Sequence, residues 1–130
     1  MSIDPNFWMQ YARENLAVAE LCQQAGHLNA CLQNAQQCVE KSLKAIRAYH
    51  RLVEKKSHHI GTLQRDLFDI KVDVGLSRED CELLDSIYVD SKYPTPSVVP
   101  HSPPDQAICR RCVELARTVV EKADIIMEAK

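Results

Sequence analysis

A long apolar stripe at helical spacing, between residues 28 and 55, constrains the fold more than any other feature. Its members recur every three or four positions, as on one face of an α-helix with 3.6 residues per turn. They are Leu28, Leu32, Ala35, Val39, Leu43, Ile46, His50 and Val53. A helix from about Leu28 to Lys55 is long for a globular protein, which predicts the spine of a helical bundle.

The first helix has clear start and stop signals. Asp4 can cap it with Pro5 at the first helical position, and Gly26 supplies the end after about Ala25. We expect its buried side to consist of Trp8, Tyr11, Ala12, Leu16, Ala19 and Cys22. Because the connection at Gly26 is so short, the first two helices must pack as an antiparallel hairpin.

Three further helices follow in the sequence. After the break "SHHIG" (57–61), Thr62 can cap a short helix through about Phe68, and Ser77 to Asp80 resembles a capping box. Residues 91–104 hold five of the six prolines and are predicted to be non-helical. Ser102 and Pro103 then open a last helix with the stripe Ile108, Cys112, Leu115, Val119, Ala123 and Ile126. With no strand pattern anywhere, we predict an all-α, antiparallel (up-and-down) bundle of four to five helices.

Length and composition narrow the function classes. A chain of 130 residues corresponds to one domain, here residues 1–130, and its net charge of -2 gives no global basicity for nucleic acid. Without an 18-residue apolar stretch or a signal peptide, we expect a cytoplasmic protein that is not inserted in a membrane. The six cysteines are expected to be reduced and packed in the core, and neither a metal site nor a cofactor is predicted.

Two faces of the second helix can each be interpreted in two ways. Lys44, Arg47, Arg51 and Lys55 share a basic face opposite the apolar stripe, with Lys41 one turn before Lys44. This face is either the ordinary solvent-exposed side of the helix or the border of an anion site completed by His58 and the loop with Lys92 and Tyr93.

A second apolar shoulder of the same helix predicts a homodimer surface, unless it packs within the bundle. The shoulder consists of Cys31, Cys38, Ala45 and Tyr49.

Four segments together resemble the HEPN domain, a small helical family often found beside a minimal nucleotidyltransferase. They occur in the family's order and cover nearly the whole chain: "YARENLAVAELCQQAG" (11–26), "NAQQCVEKSLKAI" (34–46), "HHIGTLQRDL" (58–67) and "SKYPTP" (91–96). The resemblance implies a dimerising bundle. It also places Glu40, Lys41, Lys44, His58, Tyr93 and Pro94 at the family's recurring polar positions. His59 stands where the family usually has Asp, and Lys92 where it has Arg.

The resemblance implies two possible functions. We predict a non-catalytic module that binds a nucleotide or another anionic small molecule, or docks a nucleotidyltransferase. Its ligand-binding residues would be Lys41, Lys44, Arg47, His58, Lys92 and Tyr93. The alternative is a toxin-type HEPN endoribonuclease of a toxin–antitoxin pair, with RNA as substrate.

Such ribonucleases use an R-x(4–6)-H motif near the start of the final helix. Arg51 and His58 have the required spacing but lie elsewhere, and no histidine follows Arg110 and Arg111. We therefore expect no catalysis, with Arg51 and His58 as the only catalytic pair that the alternative could use. A third possibility is a structural subunit whose basic face keeps it soluble.

Overall fold

The computed structural model describes residues 3–92 and 104–128, apart from the side chains of residues 90–92. This part of the chain forms five α-helices and no strand, which confirms the predicted all-α fold. They are α1 (Pro5–Ala25), α2 (Leu28–Tyr49), α3 (Ile60–Asp69), α4 (Arg78–Lys92) and α5 (Gln106–Glu128). Helix α4 continues two residues into the proline-rich segment predicted to be non-helical, most of which lies outside the described residues. None of these helices is long and apolar enough to cross a bilayer.

Helix α2 is the centre of the bundle. It packs along α1 on one side and α5 on another, and it also contacts α3 and α4. A helix surrounded in this way has little surface left for solvent, so even polar residues become buried: Gln36, Glu40, Ser42, Lys44 and Arg47. The expectation that the basic face is solvent-exposed is therefore wrong for Lys44 and Arg47, which are only 8% and 7% exposed.

The α1–α2 hairpin confirms the predicted cap residues. The Asp4 side chain accepts a hydrogen bond from the Asn6 backbone N–H at 2.7 Å, and Gly26 adopts the left-handed conformation with φ 81°. The buried face of α1 differs from the prediction at two positions, because Tyr11 is exposed and Met9 is fully buried. Three further predicted residues are only partly buried: Trp8, Leu16 and Cys22. Met9 joins Ala12 and Ala19 on the face that meets the rest of the bundle.

Helix α2 ends at Tyr49, several residues before the predicted end at Lys55. Arg51 is left-handed with φ 58°, its N–H bonds the Ala48 carbonyl, and the Leu52 N–H bonds the Arg47 carbonyl at 3.0 Å. These bonds form a Schellman motif, which normally uses glycine at the left-handed position. An arginine there gives no sequence signal for the helix end, and Val53 beyond it is 86% exposed instead of buried.

The later helices begin with side-chain caps. The cap of helix α3 is His59, three residues before the predicted cap Thr62, and its ring accepts the Thr62 N–H at 3.1 Å. At α4 the predicted capping box is confirmed: Ser77 and Asp80 each accept the other's backbone N–H at 3.0 Å. Helix α5 begins at Gln106 and is capped by Asp105, whose carboxylate accepts the Ile108 N–H at 2.8 Å. The predicted cap at Ser102 and Pro103 lies outside the described residues.

The apolar shoulder of α2 packs inside the bundle. Cys31, Cys38 and Ala45 are fully buried, and the Cys38 thiol lies 4.0 Å from the Ala116 carbonyl oxygen of α5. Three of the four residues on which the homodimer prediction rested are therefore not available to a second copy, and the fourth, Tyr49, is partly buried. All six cysteines are free thiols, and five of them are buried as expected, whereas Cys22 is only partly buried.

Candidate functional site

A buried carboxylate organises the polar cluster at the middle of α2. Glu40 Oε2 accepts a hydrogen bond from Lys44 Nζ at 3.1 Å, one turn along the helix. The same oxygen lies 2.9 Å from His58 Nδ1, in the segment between α2 and α3. Glu40 and Lys44 are both buried, whereas the His58 side chain is half-exposed. The buried ion pair thus lies on the inner side of the half-exposed imidazole and holds it in place.

Aromatic rings flank this cluster on both sides. The Lys44 ammonium lies 5.5 Å from the centre of the Trp8 ring, a distance at which cation–π attraction operates. His58 stacks on Tyr88 of α4, with ring centroids 5.0 Å apart and planes 26° from parallel. The two contacts connect the α2 cluster to α1 and α4, which fixes the position of the exposed imidazole.

The contact with Glu40 determines how His58 can interact with a ligand. A carboxylate only accepts hydrogen bonds, so Nδ1 is the ring nitrogen that donates to Glu40, and Nε2 is the nitrogen that remains for a ligand. The ring lines a surface cavity of about 470 Å³ together with Ser57, His59, Asp85, Ser86, Tyr88 and Val89. This volume is within the range of small-ligand sites. His58 therefore offers a flat ring and its second ring nitrogen, Nε2, to a ligand.

The neighbouring His59 is held in place by α3 and α4. Its Nε2 lies 3.0 Å from Asp85 Oδ2, and Asp85 also accepts the backbone N–H groups of Ile60 at 2.6 Å and Gly61 at 3.2 Å. Gly61 makes room for this arrangement, because a Cβ at that position would come within 3.1 Å of His59 Cε1. Since the backbone N–H groups of Ile60 and Gly61 and both ring nitrogens of His59 have partners, this helix start offers little to an anionic ligand.

Arg47, a predicted ligand-binding residue, is paired within the bundle. Its guanidinium donates to Asp66 Oδ2 at 2.6 Å and to the Val53 carbonyl at 2.7 Å, and Lys55 donates to the same carboxylate oxygen at 2.9 Å. The hydrogen bond from Lys55, followed by the two positive charges, lowers the pKa of Asp66 below its ordinary value. These bonds tie the segment after α2 to α3.

The other predicted ligand-binding residues do not join His58 directly. Lys41 donates to Asn15 Oδ1 at 2.8 Å, and its ammonium lies 5.6 Å from the centre of the Tyr11 ring. Lys92 is the last residue of α4. Its side chain and the whole of Tyr93 lie outside the described residues. Of the six predicted residues, the structure brings Lys44 and His58 together, through Glu40.

A small recess shows why the basic residues do not add up to an anion site. Lys44, Arg47 and Lys55 line it together with Trp8, but its free volume is about 10 Å³, room for roughly one water molecule. Lys44 is paired with Glu40, Arg47 and Lys55 share Asp66, and Glu54 also lines the recess. The three cations are therefore balanced by three carboxylates.

The ribonuclease alternative requires that Arg51 and His58 lie together, and within one chain they do not. His58 is bonded to Glu40, while Arg51 is exposed in the left-handed turn after α2. No hydrogen bond connects Arg51 to His58, both of which the structure describes.

Several residues of the site have no role in the sequence-based prediction, and Glu40 entered it only through the family resemblance. Glu40 could have been found from its i,i+4 spacing to Lys44, the usual arrangement of an intrahelical ion pair. Tyr88, Asp85 and Asp66 meet His58, His59 and Arg47 across long sequence separations, for which a single sequence carries no signal. Within the described part of the chain, no three His, Cys, Asp or Glu side chains are placed to hold a metal ion.

Comparison with known proteins agrees with this architecture. The sequence model of the HEPN domain matches residues 5–126. Among solved structures, ST0689, described as an archaeal HEPN homologue, has a TM-score of 0.71 at 20% identity, covering 96% of this chain and 98% of its own. TT1696 from Thermus thermophilus has a TM-score of 0.75 at 23% identity, covering 94% and 97%. At these identities the likeness establishes the fold. No curated protein matches the chain significantly.

Proposed function

This chain belongs to the HEPN domain family, and on that premise we propose that it is a non-catalytic binding module whose ligand is a nucleotide held mainly by its base. The observation that carries the proposal is the half-exposed His58 ring, stacked on Tyr88 and anchored by buried Glu40 beside a cavity of about 470 Å³. Nucleobases bind proteins by stacking on such rings and by hydrogen bonds along their edges.

The charges near the site favour recognition of the base over recognition of phosphate. Lys44 and Arg47 are both neutralised by buried or half-buried carboxylates, and Lys41 is bonded to Asn15. A phosphate group would have to displace these partners before it gained a free cation. We therefore expect a nucleoside and its monophosphate to bind with affinities that agree within a few-fold.

The same balance of charges favours binding over catalysis. Cleavage of a phosphodiester requires stabilisation of the charge that builds up on the phosphoryl oxygens, commonly by an arginine or lysine. Around His58, the nearby lysine is already paired with Glu40, and Arg51 makes no contact with the ring. The ribonuclease alternative predicts RNA cleavage that is lost in Arg51→Ala and His58→Ala, whereas the binding module predicts no cleavage by the wild type.

Calorimetric titration of nucleosides and nucleoside monophosphates tests the proposal. We expect His58→Ala to weaken binding by about fivefold or more, which corresponds to the loss of one stacked base. His58→Phe should retain most of the stacking and lose the Nε2 hydrogen bond. His27→Ala is the matched control, because His27 is exposed and its side chain caps nothing. Absence of nucleoside binding to the wild type, or binding unchanged in His58→Ala, would refute the proposal.

A homodimer and a nucleotidyltransferase partner remain predictions of the family resemblance. Because Cys31, Cys38 and Ala45 are enclosed by the bundle, either partner would have to use a different surface.

A further inference from the structure

The outer side of α1 carries large apolar side chains that the bundle leaves uncovered. Phe7 and Tyr11 are each 59% exposed, and Leu21 is 65% exposed. The opposite side of the same helix supplies Met9, Ala12 and Ala19 to the core. Helix α1 is therefore apolar on two faces, although its own bundle buries only one.

The exposed apolar residues lie on one helical seam, the α1 stripe, with Glu14 and the partly buried Val18 between Tyr11 and Leu21. Steps of four and three residues lead along α1 through Phe7, Tyr11, Glu14, Val18, Leu21 and Ala25. This is the spacing of the contact seam between two packed helices, and Phe7 to Leu21 spans about 21 Å. Single exposed apolar residues are common on protein surfaces, whereas several large ones on one helical seam indicate an interaction site.

One charge interrupts this α1 stripe. Glu14 is exposed and forms no ion pair with any residue that the structure describes. The neighbouring charges are occupied, since Arg13 pairs with Asp124, Glu20 pairs with Arg117 of α5, and Lys41 bonds Asn15. The stripe thus presents an unpaired carboxylate at the midpoint between Phe7 and Leu21.

The position of Glu14 discriminates against a second copy of the chain. If two α1 helices paired antiparallel with Phe7 opposite Leu21, the symmetry axis would pass at Glu14 and bring the two carboxylates together. A parallel pair in register would also place Glu14 opposite Glu14. Like charges at the centre of an interface disfavour that pairing, whereas an opposite charge selects its partner.

We propose that the α1 stripe docks an amphipathic helix of a different protein, with a lysine or arginine at the middle of its apolar face. The apolar side chains of the partner would cover Phe7, Tyr11 and Leu21, and its cation would pair with Glu14. This docking site is independent of nucleotide binding at His58, because none of its residues lines that cavity.

Designed peptides test the proposal without knowledge of the natural partner. The probes are two fluorescent helical peptides of about three heptads with leucines at the seam positions. They differ at one central seam residue, which is lysine in one and glutamate in the other. In fluorescence anisotropy, the wild type should bind the lysine peptide about tenfold more tightly than the glutamate peptide. Glu14→Lys should reverse this preference.

A matched pair of surface variants locates the binding. Leu21→Glu should reduce affinity for the lysine peptide about tenfold or more. Ile125→Glu should leave it unchanged, because Ile125 is equally exposed, at 64%, but belongs to α5. Thermal melts should show that both variants remain folded, since neither side chain is buried.

Three results would overturn the proposal. One is failure of both peptides to bind the wild type at any concentration at which the peptides themselves remain monomeric. Another is a peptide preference that Glu14→Lys does not change. The third is a homodimer in sedimentation equilibrium that Leu21→Glu dissociates and Ile125→Glu does not, which would identify a second copy of the chain as the occupant of the stripe.

Discussion

Replacement of Lys44 by methionine should strongly destabilise the protein, whereas the sequence alone predicts almost no effect on stability. A lysine on a solvent-exposed face contributes little to folding, but Lys44 is only 8% exposed and bonds Glu40 at 3.1 Å. Methionine preserves most of the side-chain volume and removes the charge. It leaves the buried Glu40 carboxylate with His58 as its remaining hydrogen-bond partner.

The expected magnitude follows from the burial of the pair. Removing one partner of a buried ion pair typically costs about 3–5 kcal/mol, because the other charge stays in a poorly solvated environment. Loss of the cation–π contact with Trp8 adds about 0.5–2 kcal/mol. Since small domains are stable by about 5–15 kcal/mol, this one substitution would remove a large share of the stability.

Urea unfolding followed by circular dichroism at pH 7 measures this effect. The wild type, Lys44→Met, Glu40→Gln and the double variant form a thermodynamic cycle. We expect the double variant to be more stable than Lys44→Met, because the uncompensated charge is gone. If Lys44→Met costs less than about 1 kcal/mol, as for an exposed ion pair, the reasoning from burial is refuted.

Three further predictions concern the helix ends, the pH dependence and the thiols. Arg51→Gly should raise the free energy of unfolding by about 1 kcal/mol, because φ 58° strains any residue with a Cβ, and Arg51→Ala in the same urea assay should bring no gain. The lowered pKa of Asp66 stabilises the fold above the unfolded-state value of 3.8, and this contribution is lost as the pH falls through the folded-state pKa. Stability measured from pH 6 down to pH 2 should therefore decline less steeply in Asp66→Asn, and an unchanged slope would contradict this assignment. Burial raises the pKa of Cys38 and Cys112 to about 12, so native alkylation followed by mass spectrometry should label the partly buried Cys22 first and the others only in denaturant. Rapid native labelling of Cys112 would show that the start of α5 opens.

The sequence determined most of the local structure, because the relevant interactions lie within a few residues of each other. The Asp4 cap, the Gly26 helix end and the Ser77–Asp80 capping box are all hydrogen-bonded as predicted. Apolar spacing of 3.6 residues then requires helices that bury one face, which leads to the bundle. The end of α2 escaped prediction because a left-handed arginine replaces the usual glycine.

The sequence also identified part of the candidate site. His58 and Lys44 were expected to line one pocket. The structure connects them through Glu40, but His58 lines the cavity of about 470 Å³ and Lys44 lines the small recess beside Trp8. What the spacing along α2 could not show is that four other helices surround it. A helical wheel separates polar from apolar faces, but it does not show whether the polar face meets water or another helix.

Tertiary structure alone decided which charged and aromatic residues meet across different helices. Asp66 neutralises Arg47 from α3, and Tyr88 supports His58 from α4. These contacts join residues far apart in the sequence, and their geometry depends on how the helices cross. In the sequence these cations resemble an anion site. In the fold, the buried ones form internal ion pairs instead, since a charge removed from water requires a partner within the protein.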